Sequence, residues 1–482
     1  MGDYIVRDVA VIDVLAGTVR ADQNIVLKRG KIIEIRPAGG PDDQNGLTVV
    51  DGRGKFLMPA LWDMHTHSTQ YASQYEHPLM IANGVTGARE MWGCLSEPDP
   101  FFACAADRRR WNAALRSQTG MSPRYIGHSG YHINDGTEVP DHFPAFFKAR
   151  DAADISELFD FYEQAGVDFA KTYSELSPSQ YALLATEARR RGFALAGHRP
   201  FKVSLPALLE AGQRSVEHPR VFLLECFSGA EEFRALDDPY SAYDAEFRQR
   251  MVDAHDPELC TPLITALAES ETAWVPTLQV LGTGVHAAEP GFLNDPRLQY
   301  VPYLFRKLFW EPDAARKAAR NTDDSGQNID AAMYALALDH VGQAHAAGAT
   351  ILTGTDNFDP YIYPGFGVHA ELEELVRAGL SPAAAIRSAT LDAARFAGLE
   401  DTFGSLSVGK VADVLLLDAN PLEDIRNTTQ IRGLFFNGRY LDRAELDGLL
   451  EFARQRAGST PTNLQILLAG LRSPLLRLQF AD

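Results

Sequence analysis

Five short apolar runs in this chain each end in a residue able to hold a metal ion, and that repetition constrains the fold more than any other feature. The first, Lys55 to His67, reads Lys-Phe-Leu-Met-Pro-Ala-Leu-Trp-Asp-Met-His-Thr-His and closes on His65 and His67. The others cover residues 167–171, 193–198, 214–218 and 349–356, and end in Lys171, His198, His218 and Asp356. On a strand, side chains i and i+2 leave from one face, so the two imidazoles of the first run point together with their roots about 6 to 7 Å apart. Such a pair is common by chance on an exposed strand, but four later runs answering it are not. A polar ligand set repeatedly at the C-terminal tip of a buried strand is the pattern of an α/β barrel, whose active site lies at that face.

The intervening segments fit that pattern. A helix is expected around 71–83, a second strand over 84–90 and a third over 124–128. Ser177 followed by Pro178 reads as a helix N-cap with proline at the first helical position, for a helix ending at Arg191. A helix over 205–211, a seventh strand over 273–278 that contains Pro276, a helix over 330–347 and an eighth strand carrying Asp356 complete the count. The expected fold class is therefore α/β: a (β/α)8 TIM-like barrel over 57–402. Residues 1–56 alternate apolar and polar side chains between Gly17, Gly30 and Gly39-Gly40 and read as half of a small β-sandwich. Residues 403–445 supply its other half, so the sandwich is built from both chain ends. Residues 446–482 form a helical tail with Leu464, Leu467, Leu468 and Leu471 at helical spacings, expected to pack on the barrel or on a partner subunit. The long connections 92–122, 222–272 and 283–328 read as lids or oligomer contacts, where substrate specificity should lie.

Composition narrows the partners. The 482 residues carry a formal net charge of −19, which argues against a nucleic-acid partner, since phosphate backbones need a basic surface. No run of about eighteen apolar residues occurs, so no membrane partner is expected. The first residues lack a basic-then-apolar leader, and cytoplasmic placement is the expectation. Cys94, Cys104, Cys226 and Cys260 show no CxxC spacing and are too sparse for a disulfide framework, so reduced thiols are expected.

With these residues in this order, the chain resembles the metal-dependent amidohydrolase superfamily, in its two-metal branch of imidazolonepropionase-like proteins, prolidase-like dipeptidases and ochratoxin-type amidases. The resemblance runs from about Val9 to about Tyr440. It implies that His65, His67 and Asp356 hold one divalent ion and His198 and His218 a second, zinc being the ion such donors suit. Lys171 is the odd member, because an ammonium cannot bind a cation. A buried lysine can be neutral, and the family's lysine reacts with CO2 to a carbamate that spans both metals. The resemblance further implies a hydroxide bridging the two metals as nucleophile and Asp356 as the proton shuttle to the leaving group. For polarising the substrate carbonyl, the sequence nominates His132, in the loop after the third strand, and Tyr173, two residues beyond Lys171 and on its face. His128 competes with His132 for that role.

The expected activity is hydrolysis of an amide or peptide C–N bond in a small molecule such as a dipeptide or N-acyl amino acid, by a homo-oligomeric enzyme. Hydrolysis of a lactone or organophosphate ester, or deamination of a heterocycle, could use the same site. A non-catalytic scaffold on this fold would lack ligands, and none is missing.

Overall fold

The computed structural model describes residues 2–39, 46–321 and 328–474. The chain opens with β1 (Tyr4–Asp13), β2 (Thr18–Lys28), β3 (Lys31–Pro37), β4 (Thr48–Asp51) and β5 (Phe56–Pro59). Next come β6 (Leu61–Thr66), β7 (Val85–Glu90), β8 (Arg124–His128), β9 (Phe169–Thr172), β10 (Ala194–Gly197), β11 (Ser215–Glu217) and β12 (Ala273–Val275). It closes with β13 (Val414–Leu417), β14 (Ile431–Phe436) and β15 (Arg439–Asp442).

β6, β7 and β8 form one parallel sheet, and β9 to β12 another. Parallel bridges join them on both sides. Ser129 meets Phe169 and Ile133 meets Thr172 at one seam; at the other, Trp274 meets Ile351 and Thr66 meets Asn357. The segment 349–357 therefore stands between β12 and β6, with the Met64 amide donating to the Thr353 carbonyl at 2.9 Å and the Asp356 amide to that of His65 at 2.8 Å. It is held by bridges rather than as the regular eighth strand expected. Gly354 makes the approach possible, since a Cβ there would lie 2.5 Å from Val275 Cγ1 and 2.8 Å from His65 Cβ. β12 stops one residue before Pro276, whose nitrogen has no hydrogen to give the ladder.

Both chain ends enter one eight-stranded sheet, ordered β15-β14-β13-β5-β1-β2-β3 with β4 beside β1. It is one continuous sheet and has an apolar core of its own, including Val6, Val11, Ile25, Leu57, Val414 and Phe435. Alternation, shifted by irregularities in β1 between Val6 and Val11, brings these side chains to one face, and packing them together is what draws residues 414–417 onto β5.

The helix Pro178–Arg191 starts as its sequence demands. Ser177 accepts from the Gln180 amide, Gln180 reciprocates to the Ser177 amide, and Gly192 closes the helix in the left-handed region. The long connections differ from their reading as loops. The first holds a helix over Ala105–Arg116, the second includes Ala245–Asp253 and Pro257–Glu269, and the third opens on the end of Leu278–His286 and includes Glu311–Arg320. Residues 322–327 of the third, Gly40 of the predicted turn and 475–482 of the tail lie outside the described residues.

The tail packs on the rest of the chain through part of its surface, and the cysteine expectation needs correction. The tail forms helices Arg443–Gly458 and Thr460–Arg472, but Leu464, Leu468 and Leu471 face outward at 50%, 49% and 61% exposure. Ile466 and Ala469 pack inward instead, beside Asn463, whose side chain caps the Leu304 amide at 2.8 Å and the Ala457 carbonyl at 2.7 Å. Backbone polar groups at the docking surface thus decide which face is buried. The cysteines, expected as reduced thiols, are joined as Cys94–Cys104 and Cys226–Cys260, because the connections fold back and bring their Cα atoms to 5.5 and 5.0 Å. Disulfides belong to oxidising compartments, so the cysteines lend no support to a cytoplasmic placement. Among the described residues no helix is long and apolar enough to cross a membrane.

Candidate active site

The tips of β6, β9, β10 and β11 and the 349–357 segment deliver their polar residues to one place. His67, Lys171, Tyr173, His198, His218 and Asp356 line a cavity of about 280 Å³, and His65 lies fully buried against Asp356 and His218. Ligand atoms of His65, His218 and Asp356 all fall within 4.8 Å of one another. One carboxylate oxygen of Asp356 stands 2.7 Å from His67 Nε2 and 3.4 Å from His65 Nε2, and its other oxygen 3.6 Å from His218 Nδ1. His198 and His218 meet through their Nε2 atoms at 2.8 Å.

The rings are oriented from behind. His65 Nδ1 pairs with Glu217 at 2.9 Å, His198 Nδ1 with the Ser174 hydroxyl at 2.9 Å, and His218 Nδ1 with the Thr277 hydroxyl at 2.9 Å. With Nδ1 engaged in each case, Nε2 is the atom turned toward the cluster, which is how proteins present histidines to metals. His65 Nε2 is buried with no hydrogen-bond partner, as a ligand atom awaiting an ion would be. The residues therefore fit the divalent ions that the resemblance implies.

Electrostatics point the same way. Burial holds His198 and His218 well below the ordinary imidazole range, hence neutral and able to donate a lone pair. Burial also lowers His65, against the pull of Asp356 and Glu217. Burial favours the neutral form of Asp356 too, but the imidazoles of His65 and His67 outweigh it and keep the carboxylate ionised. In Glu217, burial is likewise overcome by Arg89, 2.8 Å away, and by His65, leaving a value of about 2. Lys171 is brought down to about 8, chiefly by burial, with Asp356, Glu217 and Glu90 opposing. Its ammonium lies 5.3 Å from the Trp92 ring centre and 5.8 Å from that of Tyr173.

Backbone strain collects here. His218 and Asp356 adopt φ of 74° and 59°, left-handed values that cost a non-glycine residue about 1 to 3 kcal/mol. The Trp274 indole donates to the His218 carbonyl at 2.8 Å and helps hold that conformation.

Of the two nominated carbonyl-polarising residues, Tyr173 faces the cavity, whereas His132 stands behind it. The His132 ring lies against Tyr131 and Tyr173, 4.2 Å from each, and is not among the residues lining the cavity. The His132 ring also stands 5.3 Å from that of Trp92, which lines the cavity. His128 is farther off, beside Asp168 and Tyr125. Sequence reasoning missed Glu217, Ser174, Thr277 and Arg220. An acid next to His218 was a visible signal, but the histidine Glu217 orients is His65, 152 residues away.

The model of the amidohydrolase family matches residues 336–441. Ochratoxinase of Aspergillus niger is 40% identical over 423 residues, covering 78% of this chain and 72% of that protein. Among solved structures, a bottromycin amidohydrolase superposes with a TM-score of 0.70 at 23% identity, covering 95% of this chain and 92% of the other. A Xaa-Pro dipeptidase with methionine bound in its active site gives 0.63 at 17% identity, covering 92% and 100%. Both likenesses concern the fold, which is TIM-barrel-like. Taken with the 40% identical relative, the convergent histidines and carboxylate make this chain a member of the metal-dependent amidohydrolase family, an enzyme that hydrolyses carbon–nitrogen bonds.

Proposed function

We propose that the chain cleaves the amide or peptide bond of a small carboxylate-bearing substrate, a dipeptide or N-acyl amino acid, at the tip of a closed eight-stranded barrel. The observation that carries this reading is Arg220. Its half-buried guanidinium lines the same cavity as Asp356 and His198, is flanked by the Phe201 and Tyr243 rings, and has no carboxylate partner among the described residues. The neighbouring cations Arg248 and Lys317 are already paired, with Asp330 at 2.6 Å and Asp313 at 3.2 Å. An unpaired guanidinium in a cavity of this size suits one planar anion of a small molecule.

His65, His67 and Asp356 would hold one divalent ion of zinc type and His198 and His218 another, with Lys171 as a carbamate between them. The ions, when bound, lower the pKa of water and polarise the carbonyl under attack. The protein residues do the rest. Arg220 anchors the substrate carboxylate and so fixes the scissile bond over the histidine cluster. Asp356 accepts the proton of the attacking water and passes it to the leaving nitrogen as the C–N bond breaks. Tyr173 closes one wall and would donate its hydroxyl to the developing oxyanion. Lys171 forms its carbamate by attack of the neutral amine on CO2 with loss of one proton, which its lowered pKa favours.

The test is a substrate screen that compares N-acyl amino acids and dipeptides with lactones and phosphotriesters. Turnover of the first group, weakened when the free carboxylate is replaced by an amide, is expected. Turnover confined to lactones or phosphotriesters would overturn the reading.

A further inference from the structure

A second cluster of metal-binding atoms lies in the 222–272 connection, away from the cavity. Cys226 follows the helix Arg220–Leu223, His255 precedes the helix Pro257–Glu269, Cys260 lies in that helix's first turn, and His340 projects from the helix Ile329–Ala347. Cys226, Cys260 and His340 are buried at 0%, 1% and 0% exposure, and their ligand atoms lie within 4.8 Å of one another. His255 completes the group, its Nε2 2.9 Å from His340 Nε2 and 3.8 Å from Cys260 Sγ. Cys260 Sγ is 3.4 Å from His340 Nε2.

We propose that, with Cys226 and Cys260 reduced, these four residues form a closed tetrahedral site for a zinc-type ion, an alternative to the disulfide. Around zinc, bond lengths of about 2.3 Å to sulfur and 2.0–2.1 Å to nitrogen place sulfur and nitrogen roughly 3.6 Å apart on the tetrahedron's edges. The two measured sulfur–nitrogen separations bracket that value. The two imidazoles need to part by only about half an ångström, and the main adjustment is rotation of the two sulfurs away from each other. A disulfide sulfur is a weak acceptor and gives two imidazoles little reason to converge on it. Moreover His340 Nδ1 is buried without a hydrogen-bond partner, so the cluster is the whole polar surrounding of that ring.

The backbone is already arranged for binding. The Asp256 amide donates to the Cys226 carbonyl at 2.8 Å, Phe227 bridges His255, and the Asp256 side chain caps the helix that carries Cys260. Converting one state to the other balances simply. Two thiol equivalents supply two electrons and two protons to the disulfide and become a disulfide themselves; the ion then displaces the two cysteine protons. Such an ion would staple the connection that supplies Tyr243 and Arg248 to the cavity onto the helix that leads to Asp356.

The experiment uses the full chain, reduced with excess thiol and loaded with Co2+. The thiol is removed before loading and the cavity cluster offers only nitrogen and oxygen donors, so the thiolate-to-cobalt charge-transfer absorption that persists in a Cys94→Ser/Cys104→Ser background reports this site. The expected result is one such chromophore per chain, displaced by Zn2+, lost in Cys226→Ser and weakened in His255→Asn, a change at the half-buried edge that should leave folding intact. Elemental analysis should show one metal equivalent fewer in Cys226→Ser than in the reduced wild type. A Cys226–Cys260 bond that survives excess thiol, a reduced chain with no chromophore, or a chromophore unchanged by Cys226→Ser would each overturn the proposal.

Discussion

The two histidine clusters meet through the same atoms, Nε2 to Nε2, at 2.8 Å between His198 and His218 and 2.9 Å between His255 and His340. What surrounds them differs. The first stands at strand tips, opens on a cavity, and has the rings of His65, His198 and His218 held from behind by Glu217, Ser174 and Thr277. The second lies among helices and includes sulfur, with Cys226, Cys260 and His340 buried. Zinc sites divide in this way: those that keep an open position do chemistry, and closed ones hold structure. A histidine pair alone therefore says little about function, and the space beside it says much.

That contrast can be broken or sharpened by experiment. The largest effect should come from Asp356→Asn. If the open cluster does chemistry, the variant keeps its metal by elemental analysis yet loses about 10² to 10⁴ in kcat, the usual worth of a positioned proton transfer. Near wild-type turnover in a fully metallated variant would remove Asp356 from the shuttle role.

Glu217→Gln tests whether the orienting residues matter at the open cluster only. It should weaken metal affinity there about ten- to hundredfold in a competition titration, and leave the thiolate–cobalt absorption of the closed cluster unchanged. Equal loss at both would mean the substitution had damaged the fold.

Arg220→Gln addresses the cavity wall. A charge-assisted hydrogen bond contributes about 1.5 to 3 kcal/mol, so KM for carboxylate-bearing amides should rise about ten- to hundredfold with kcat little changed. Substrates lacking the carboxylate should be indifferent. An equal rise for both kinds would show that Arg220 supports the wall without reading the anion.

The smallest effect concerns pH. Carbamate formation needs the neutral Lys171 amine, whose value near 8 means that below it the ammonium dominates and the reactive fraction falls about tenfold per unit. Activation of metal-stripped protein by zinc at a fixed concentration of dissolved CO2 should accelerate as pH rises to about 8 and level off above. A rate independent of pH, or of CO2, would count against the carbamate.

Several of these features could be read directly from the sequence because they are local. The i, i+2 spacing of His65 and His67, the Ser177-Pro178 cap answered by Gln180, and apolar runs ending in Lys171, His198, His218 and Asp356 depend on neighbours along the chain, where strand and helix periodicity operate. The helices inside the long connections were not legible. Many are a single turn, and Pro239, Pro257, Pro290 and Pro296 stand at the first positions of four of these helices, where a missing amide hydrogen costs nothing.

Only tertiary structure decided the rest. Which acid orients which histidine, the left-handed backbone at His218 and Asp356, the packing of His132 against Tyr173, the outward turn of Leu464 and Leu468, and the meeting of Cys226, His255, Cys260 and His340 all depend on segments far apart in sequence. The physical reason is that periodicity tells a side chain which face to take, whereas a buried charge, thiol or imidazole is placed by the partner that compensates its burial. That partner is chosen by the packing of the whole chain.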